Sequence, residues 1–210
     1  MKKVVKDDSS KKRILDAATR LFAQKGFDGV SVREICKEAD ANICMISYYW
    51  GGKQDLYKGI IEDLIERQTA YIKSFLNFEK SPAELPKSEQ ILLLKTIVGK
   101  GVDFLYSGNI SKDLVLFLIK WQQATEFFAG APVFNYLAEL IACIFEKDIN
   151  DREVIFKTLF IIAQINSPRI LPVFSLRRLG QEDFVQEDIK IIKENVIFYI
   201  DAILKEAKID

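Results

Sequence analysis

Apolar residues recur along this chain at spacings of three and four almost throughout, and nowhere do they alternate as a strand requires. Ile14, Ala18, Leu21 and Phe22 mark one face of a first helix over residues 9–25, and Gly26 supplies a left-handed stop. Ser31-Val32-Arg33-Glu34 reads as a capping box, the serine hydroxyl accepting from the third helical N–H and the glutamate reaching back. A short helix is predicted from there to Ala39, then a tight turn at Asp40-Ala41-Asn42, then a second short helix from Ile43 to Tyr49. Gly51-Gly52 breaks it. Lys53 opens a long helix through Leu56, Ile60, Ile61, Leu64 and Ile65 to about Leu76.

Pro82 and Pro86 mark a loop, and helices are predicted beyond it near 88–107 and 111–129. Gly130-Ala131-Pro132 interrupts the pattern, which resumes near 133–147 and 151–166. Ser167-Pro168 to Gly180 holds two prolines and reads as an ordered loop with room for one helical turn. The last helix is predicted near 183–207. The fold class is therefore all-α: a three-helix N-terminal domain at 1–53 and a helical body at 54–210.

Charge changes this picture in one respect. The chain is neutral, with 30 basic and 30 acidic residues, but residues 1–60 hold 12 Lys/Arg and only 8 Asp/Glu. A basic head on an acidic body points to a polyanion for the head. There is no histidine, which removes the commonest general base, the Ser-His and Cys-His pairs and most zinc sites. No phosphate-cradling glycine loop or paired-carboxylate motif is present, so neither an enzyme nor a cofactor or metal is expected. Cys36, Cys44 and Cys143 are odd in number, lack metal-ligand spacing and read as reduced thiols. Lys2, Lys3 and Lys6 are followed by no apolar core, and no stretch reaches the ~18 apolar residues of a membrane span. A cytoplasmic protein that does not enter membranes is expected.

Two short helices joined by a tight turn and preceded by a third meet the requirements of a helix-turn-helix. Ile35, Ile46 and Trp50 can seal the pair against Phe22 and Phe27, and Cys36 and Ala39 are small enough for close approach. The N–H groups at the capped helix start suit a phosphate oxygen. Spacing alone also fits three helices of a generic bundle.

The run from Ala39 to Tyr57, Ala-Asp-Ala-Asn-Ile-Cys-Met-Ile-Ser-Tyr-Tyr-Trp-Gly-Gly-Lys-Gln-Asp-Leu-Tyr, resembles the signature of the tetracycline-repressor (TetR) family. Asn42, Ile46, Tyr48 and Gly51-Gly52-Lys53 are similar to the subgroup reading Asn-x-x-x-Ile-x-Tyr-His-Phe-Gly-Gly-Lys, and the specific match covers roughly residues 10–57. Asp40 replaces the usual turn glycine, Tyr49 stands for histidine, Trp50 for phenylalanine, and Cys44 for a smaller residue at the DNA surface. The resemblance implies a DNA-binding transcriptional regulator, commonly a repressor released by a ligand. It assigns phosphate contacts to Ser31, Tyr48, Tyr49 and Lys53, and base-edge reading to Asn42, Ile43, Met45 and Ser47, with Arg33 contributing from the preceding helix. Double-stranded DNA carrying a palindromic operator is the implied partner.

In this reading the body dimerises and senses. The last helix carries one apolar line at Ile189, Ile192, Val196, Tyr199 and Ile203 and another at Phe184, Ile191, Ile197 and Phe198, and two faces need two partners. Ile155, Leu159 and Ile162 add a further stripe, and with the first of those lines, Ile189, Ile192, Val196, Tyr199 and Ile203, they are the expected homodimer interface. Phe104, Phe117, Trp121 and Phe127, interleaved with Gln122 and Glu126, are the candidate pocket for a small-molecule effector, though each aromatic is also an ordinary core residue. A helical protein adaptor that ignores DNA is the rival class. A thiol sensor at Cys36 and Cys44 is a variant of the regulator reading.

Overall fold

The computed structural model describes residues 8–77, 80–106, 108, 110–122 and 132–209. All regular elements among them are helical. They are α1 (Asp8–Lys25), α2 (Val32–Glu38), α3 (Cys44–Trp50), α4 (Lys53–Lys73), α5 (Lys87–Tyr106), α6 (Lys112–Gln122), α7 (Pro132–Phe145), α8 (Arg152–Ile170), α9 (Leu176–Leu179) and α10 (Gln186–Glu206), with a 3₁₀ turn at Pro82–Glu84. The chain divides into two compact units, one of residues 1–67 and 111–125, the other of residues 68–110 and 126–210.

In the first unit α1 is the hub, packing on α2, α3 and α6. Its apolar stripe, Ile14, Ala18, Leu21 and Phe22, is buried, as are Ile35 of α2 and Ile46 of α3. Polar clamps fix the frame: Arg13 Nε donates to the Ala39 carbonyl at 3.1 Å, Arg20 pairs with Glu38 at 2.5 Å, and Lys25 pairs with Glu34. The Ser31 hydroxyl accepts from Glu34 N–H at 3.2 Å, as a helix start requires. The second half of the capping box is replaced, because the Glu34 carboxylate turns to the Lys25 ammonium, a stronger donor than the Ser31 N–H. That partner holds the Glu34 carboxyl below its usual range.

Helix α6 returns to this unit late in the chain. Lys120 donates to the carbonyls of Ala23 and Gln24, satisfying acceptors that the last turn of α1 leaves open. Phe117 and Trp121 join Phe22 and Tyr57 in an aromatic core, with ring centroids 4.8–6.5 Å apart.

The second unit is built on α5, α7, α8 and α10 around Leu94, Val98, Leu140, Ile141, Val154 and Ile200. Helices α5 and α10 run antiparallel, since Lys95 pairs with Asp201 at 2.6 Å and Asp103 with Lys193 at 2.5 Å. Lys87 donates to the carbonyls of Cys143 and Ile144, closing the C-terminal end of α7. Helix α8 continues through Pro168 to Ile170 and so outruns the predicted stop at 166. A proline in the last turn removes one N–H and one helical bond, which is cheaper than ending the helix where Ile165 and Arg169 are buried. The expected helix over 111–129 is described only as far as Gln122.

Candidate nucleic-acid interface

Helices α2 and α3 meet through a turn that depends on one left-handed residue. Asp40 has φ 47°, a region that aspartate enters more readily than most side chains, and Ala41 N–H then bonds back to the Cys36 carbonyl at 2.9 Å. Asn42 starts α3: its Oδ1 accepts from Cys44 N–H at 3.0 Å and from the Cys44 thiol at 2.6 Å. That commits the side-chain acceptor to the helix start. Gly51, at φ 86°, ends α3, and Lys53 opens α4 one residue after Gly52.

The exposures of α3 sort the expected site residues. Ile46 is wholly buried and anchors the helix, while Asn42, Ile43, Ser47 and Tyr48 are exposed and Met45 and Tyr49 are half-buried. Cys44 is exposed beside them, one turn before Ser47 and Tyr48; its helical spacing marks that position in the sequence although it was not among the expected contacts. Tyr48, Tyr49 and Trp50 form a row of edge-on rings 5.1 and 5.5 Å apart. Ser31 and Arg33 are exposed on and beside α2.

Cations frame this surface. Lys53 Nζ lies 4.3 Å from the centre of the Phe27 ring, and Lys11 Nζ lies 5.9 Å from that of Trp50. A lysine in the first turn of a helix opposes the helix dipole, and its contact with the Phe27 ring offsets part of that cost. Trp50 is itself fixed by Gly59 of α4: a Cβ at residue 59 would fall 2.6 Å from Trp50 Nε1. Gly59 is thus part of the support of α3, and nothing in the hydrophobic pattern marks it.

The residues expected to form an effector pocket are dispersed. Phe117 and Trp121 are buried in the aromatic core of the first unit, while Phe104 belongs to the second, where its ring lies 5.4 Å from Tyr71. Glu126, Phe127 and the Gln122 side chain lie outside the described residues. Among the expected interface residues, Ile155 and Leu159 are exposed, Ile162, Ile192, Tyr199 and Ile203 are half-buried, and Ile189 and Val196 lie in the core of the second unit. The exposed line of α10 is the other one, Ile191 and Phe198, and Phe156 and Phe160 extend the exposed face of α8.

Residues 14–60, which carry this surface apart from Lys11, match the family model "Bacterial regulatory proteins, tetR family". Along 96% of its length the chain is 28% identical to the HTH-type transcriptional dual regulator CecR of Shigella flexneri, covering 94% of that protein. Residues 14–60 thus match the TetR-family DNA-binding domain, and the chain resembles an HTH-type regulator along nearly its whole length. It is a DNA-binding transcriptional regulator. Over 86 residues it is 40% identical to the "Probable HTH-type transcriptional regulator YttP" of Bacillus subtilis (strain 168), a match spanning 41% of this chain and 40% of that protein. The fold is shared with the fatty acid degradation regulator FadR from Bacillus halodurans, with a TM-score of 0.60 at 18% identity, over 89% of this chain and 97% of that one. No helix among the described residues is long and apolar enough to cross a membrane.

Proposed function

We propose that this regulator acts in the cytoplasm as a homodimer whose two α3 helices enter successive major grooves of a palindromic operator, and that a small molecule held by the second unit releases it. The observation that carries the reading is the exposed face of α3 between two ring-stacked lysines. Tyr48, Tyr49, Lys53 and Ser31 serve as phosphate contacts, which position the helix without reading sequence. Base edges fall to Asn42, Ile43, Met45 and Ser47, with Arg33 reaching in from α2. No residue of α3 is Arg, Lys or Gln, so guanine is not read by a bidentate fork from this helix. Thymine methyls against Ile43 and Met45, together with DNA shape, supply the discrimination.

The dimer face is assigned to Ile155, Phe156, Leu159 and Phe160 of α8 with Ile191 and Phe198 of α10, because these large apolar side chains are exposed on neighbouring helices. Repression relieved by an effector is the proposed mode. The effector is placed within the second unit rather than at Phe117 and Trp121, whose rings are already committed to the first unit's core.

Selection of genomic fragments on the purified protein should return two-fold symmetric sites with half-sites about 34 Å apart. Lys53→Ala should weaken binding to the selected site and to random duplex alike and lower the salt slope by about one unit. A folded Lys53→Ala protein with unchanged affinity and slope removes Lys53 from the phosphate contacts.

A further inference from the structure

The second unit buries a guanidinium with two unmet N–H donors. Arg169, in the last turn of α8, is 9% exposed, and its Nε and Nη2 are buried without a hydrogen-bond acceptor. Its Cζ lies 5.1 Å from the centre of the Tyr106 ring and 5.6 Å from that of Phe184, and these two rings meet edge to face at 4.9 Å. The nearest carboxylate, Asp183, is half exposed and stands 3.8 Å from Nη2, beyond hydrogen-bond reach, with Oδ1 already accepting from Phe184 N–H. Tyr106 donates its hydroxyl to the Ile165 carbonyl at 2.8 Å, and burial raises its phenol far above the usual range, against the opposing pull of Arg169, so it stays neutral.

Buried polar groups in folded proteins are hydrogen-bonded almost without exception, and buried charges are paired. The two open nitrogens are also a specific pair. Nε and Nη2 form the side edge of the guanidinium fork, two parallel N–H groups spaced to meet both oxygens of one carboxylate. Apart from Asp183, the surroundings of the guanidinium are apolar: the Tyr106 and Phe184 rings, and the core residue Ile165 one turn earlier on α8. A charge-complementary, aromatic-walled edge of this kind fits an anion carrying an apolar body.

We propose that Arg169 is the anchor for the carboxylate of an amphipathic organic acid, whose apolar body lies against the Tyr106–Phe184 ring pair, and that such an acid is the effector. The second clause rests on the sensing role proposed above; the first does not.

Decanoate, decanol and decylamine are suitable probes, titrated calorimetrically into the full-length protein. Decanoate should bind at least tenfold more tightly than decanol, and decylamine should not bind. Arg169→Gln should lower decanoate affinity at least tenfold while leaving decanol unchanged. Arg169→Lys, which keeps the charge but loses the fork, should fall between. Equal binding of decanoate and decanol to the wild-type protein, or no decanoate binding, overturns the anchor; this comparison needs no folded variant. Decyl sulfate binding as tightly as decanoate overturns the carboxylate assignment in favour of a general oxyanion site. Decanoate that binds through Arg169 yet leaves operator affinity unchanged upholds the anchor and overturns sensing by this acid. Decanoate that releases the operator equally well from the Arg169→Gln protein overturns the anchor and leaves sensing intact.

Discussion

Two cysteines eight positions apart show how far single residues can be read. Cys36 is buried, its Sγ 3.8 Å from the Asn42 carbonyl, and burial, helped by the nearby Cys44, pushes its thiol up. Cys44 is exposed on the first turn of α3. A thiol-specific alkylating agent at neutral pH should therefore label Cys44 well before Cys36, because the thiolate is the reacting form and access is required as well. Operator DNA should protect Cys44, and the labelled protein should lose operator binding at least tenfold, while Cys44→Ser should bind nearly as the wild type does and resist the reagent. Labelling mapped by mass spectrometry, with binding assayed on the same samples, checks all of this. An adduct on Cys44 that leaves binding intact excludes α3 from the groove. At this scale the sequence was informative wherever a residue acts on its own backbone: Ser31 as a cap and Asp40 in a left-handed turn follow from their side chains alone. It was silent where the partner comes from elsewhere, as when Lys25 draws Glu34 away from the helix start.

Elements were legible in kind and approximate extent, because a period of 3.6 apolar residues is a property of the helix itself. Their partners were less so. Helix α6 follows the interruption after α5 and carries Phe117 and Trp121, so in sequence it belongs with the body. Its rings instead pack against Phe22 and Tyr57, a placement that depends on tertiary contacts that periodicity does not encode. Gly59 is a sharper case. It sits in the middle of α4, where glycine costs about 1 kcal/mol relative to alanine, and helical reasoning alone treats it as a flaw. The Trp50 indole explains it, lying where a Cβ would be. Gly59→Ala should gain helix propensity and still lose about 1–3 kcal/mol of stability, as overpacked sites do. By displacing Trp50 it should also shift α3, so operator affinity should fall by more than nonspecific affinity. Thermal melts and binding titrations on specific and random duplex separate the two effects. A variant that is as stable as the wild type and binds normally shows that Trp50 can repack without moving α3.

At the scale of the whole molecule, the sequence shows that α10 has two apolar lines but not which one faces its own core. Both have the same period and similar hydrophobicity, and only the positions of α5 and α8 decide between them. Val196 proves 1% exposed and Phe198 73%, so residues two apart on one helix meet opposite surroundings. The sequence favoured the line through Val196 as the outer contact, and the fold turns that line inward. This contrast gives the dimer proposal its clearest test. Val196→Glu places a carboxylate in the core beside Ile200 and should cost several kcal/mol, enough to unfold a domain of ordinary stability. Phe198→Glu adds charge to a side chain already in water within the protomer, and by itself should leave the melting temperature of an isolated protomer nearly unchanged. If Phe198 packs against a second copy, the same substitution should abolish association. Sedimentation at micromolar concentration should then give 24.1 kDa for Phe198→Glu and twice that for the wild type, with the variant keeping its helical circular dichroism. Operator affinity should fall steeply as the second half-site contact is lost, while nonspecific binding of each protomer persists. Leu159→Glu, on the exposed face of α8, should act in the same way. A wild-type protein that sediments as a monomer, or a Phe198→Glu protein that remains a dimer with full operator affinity, would mean that this face has some other occupant.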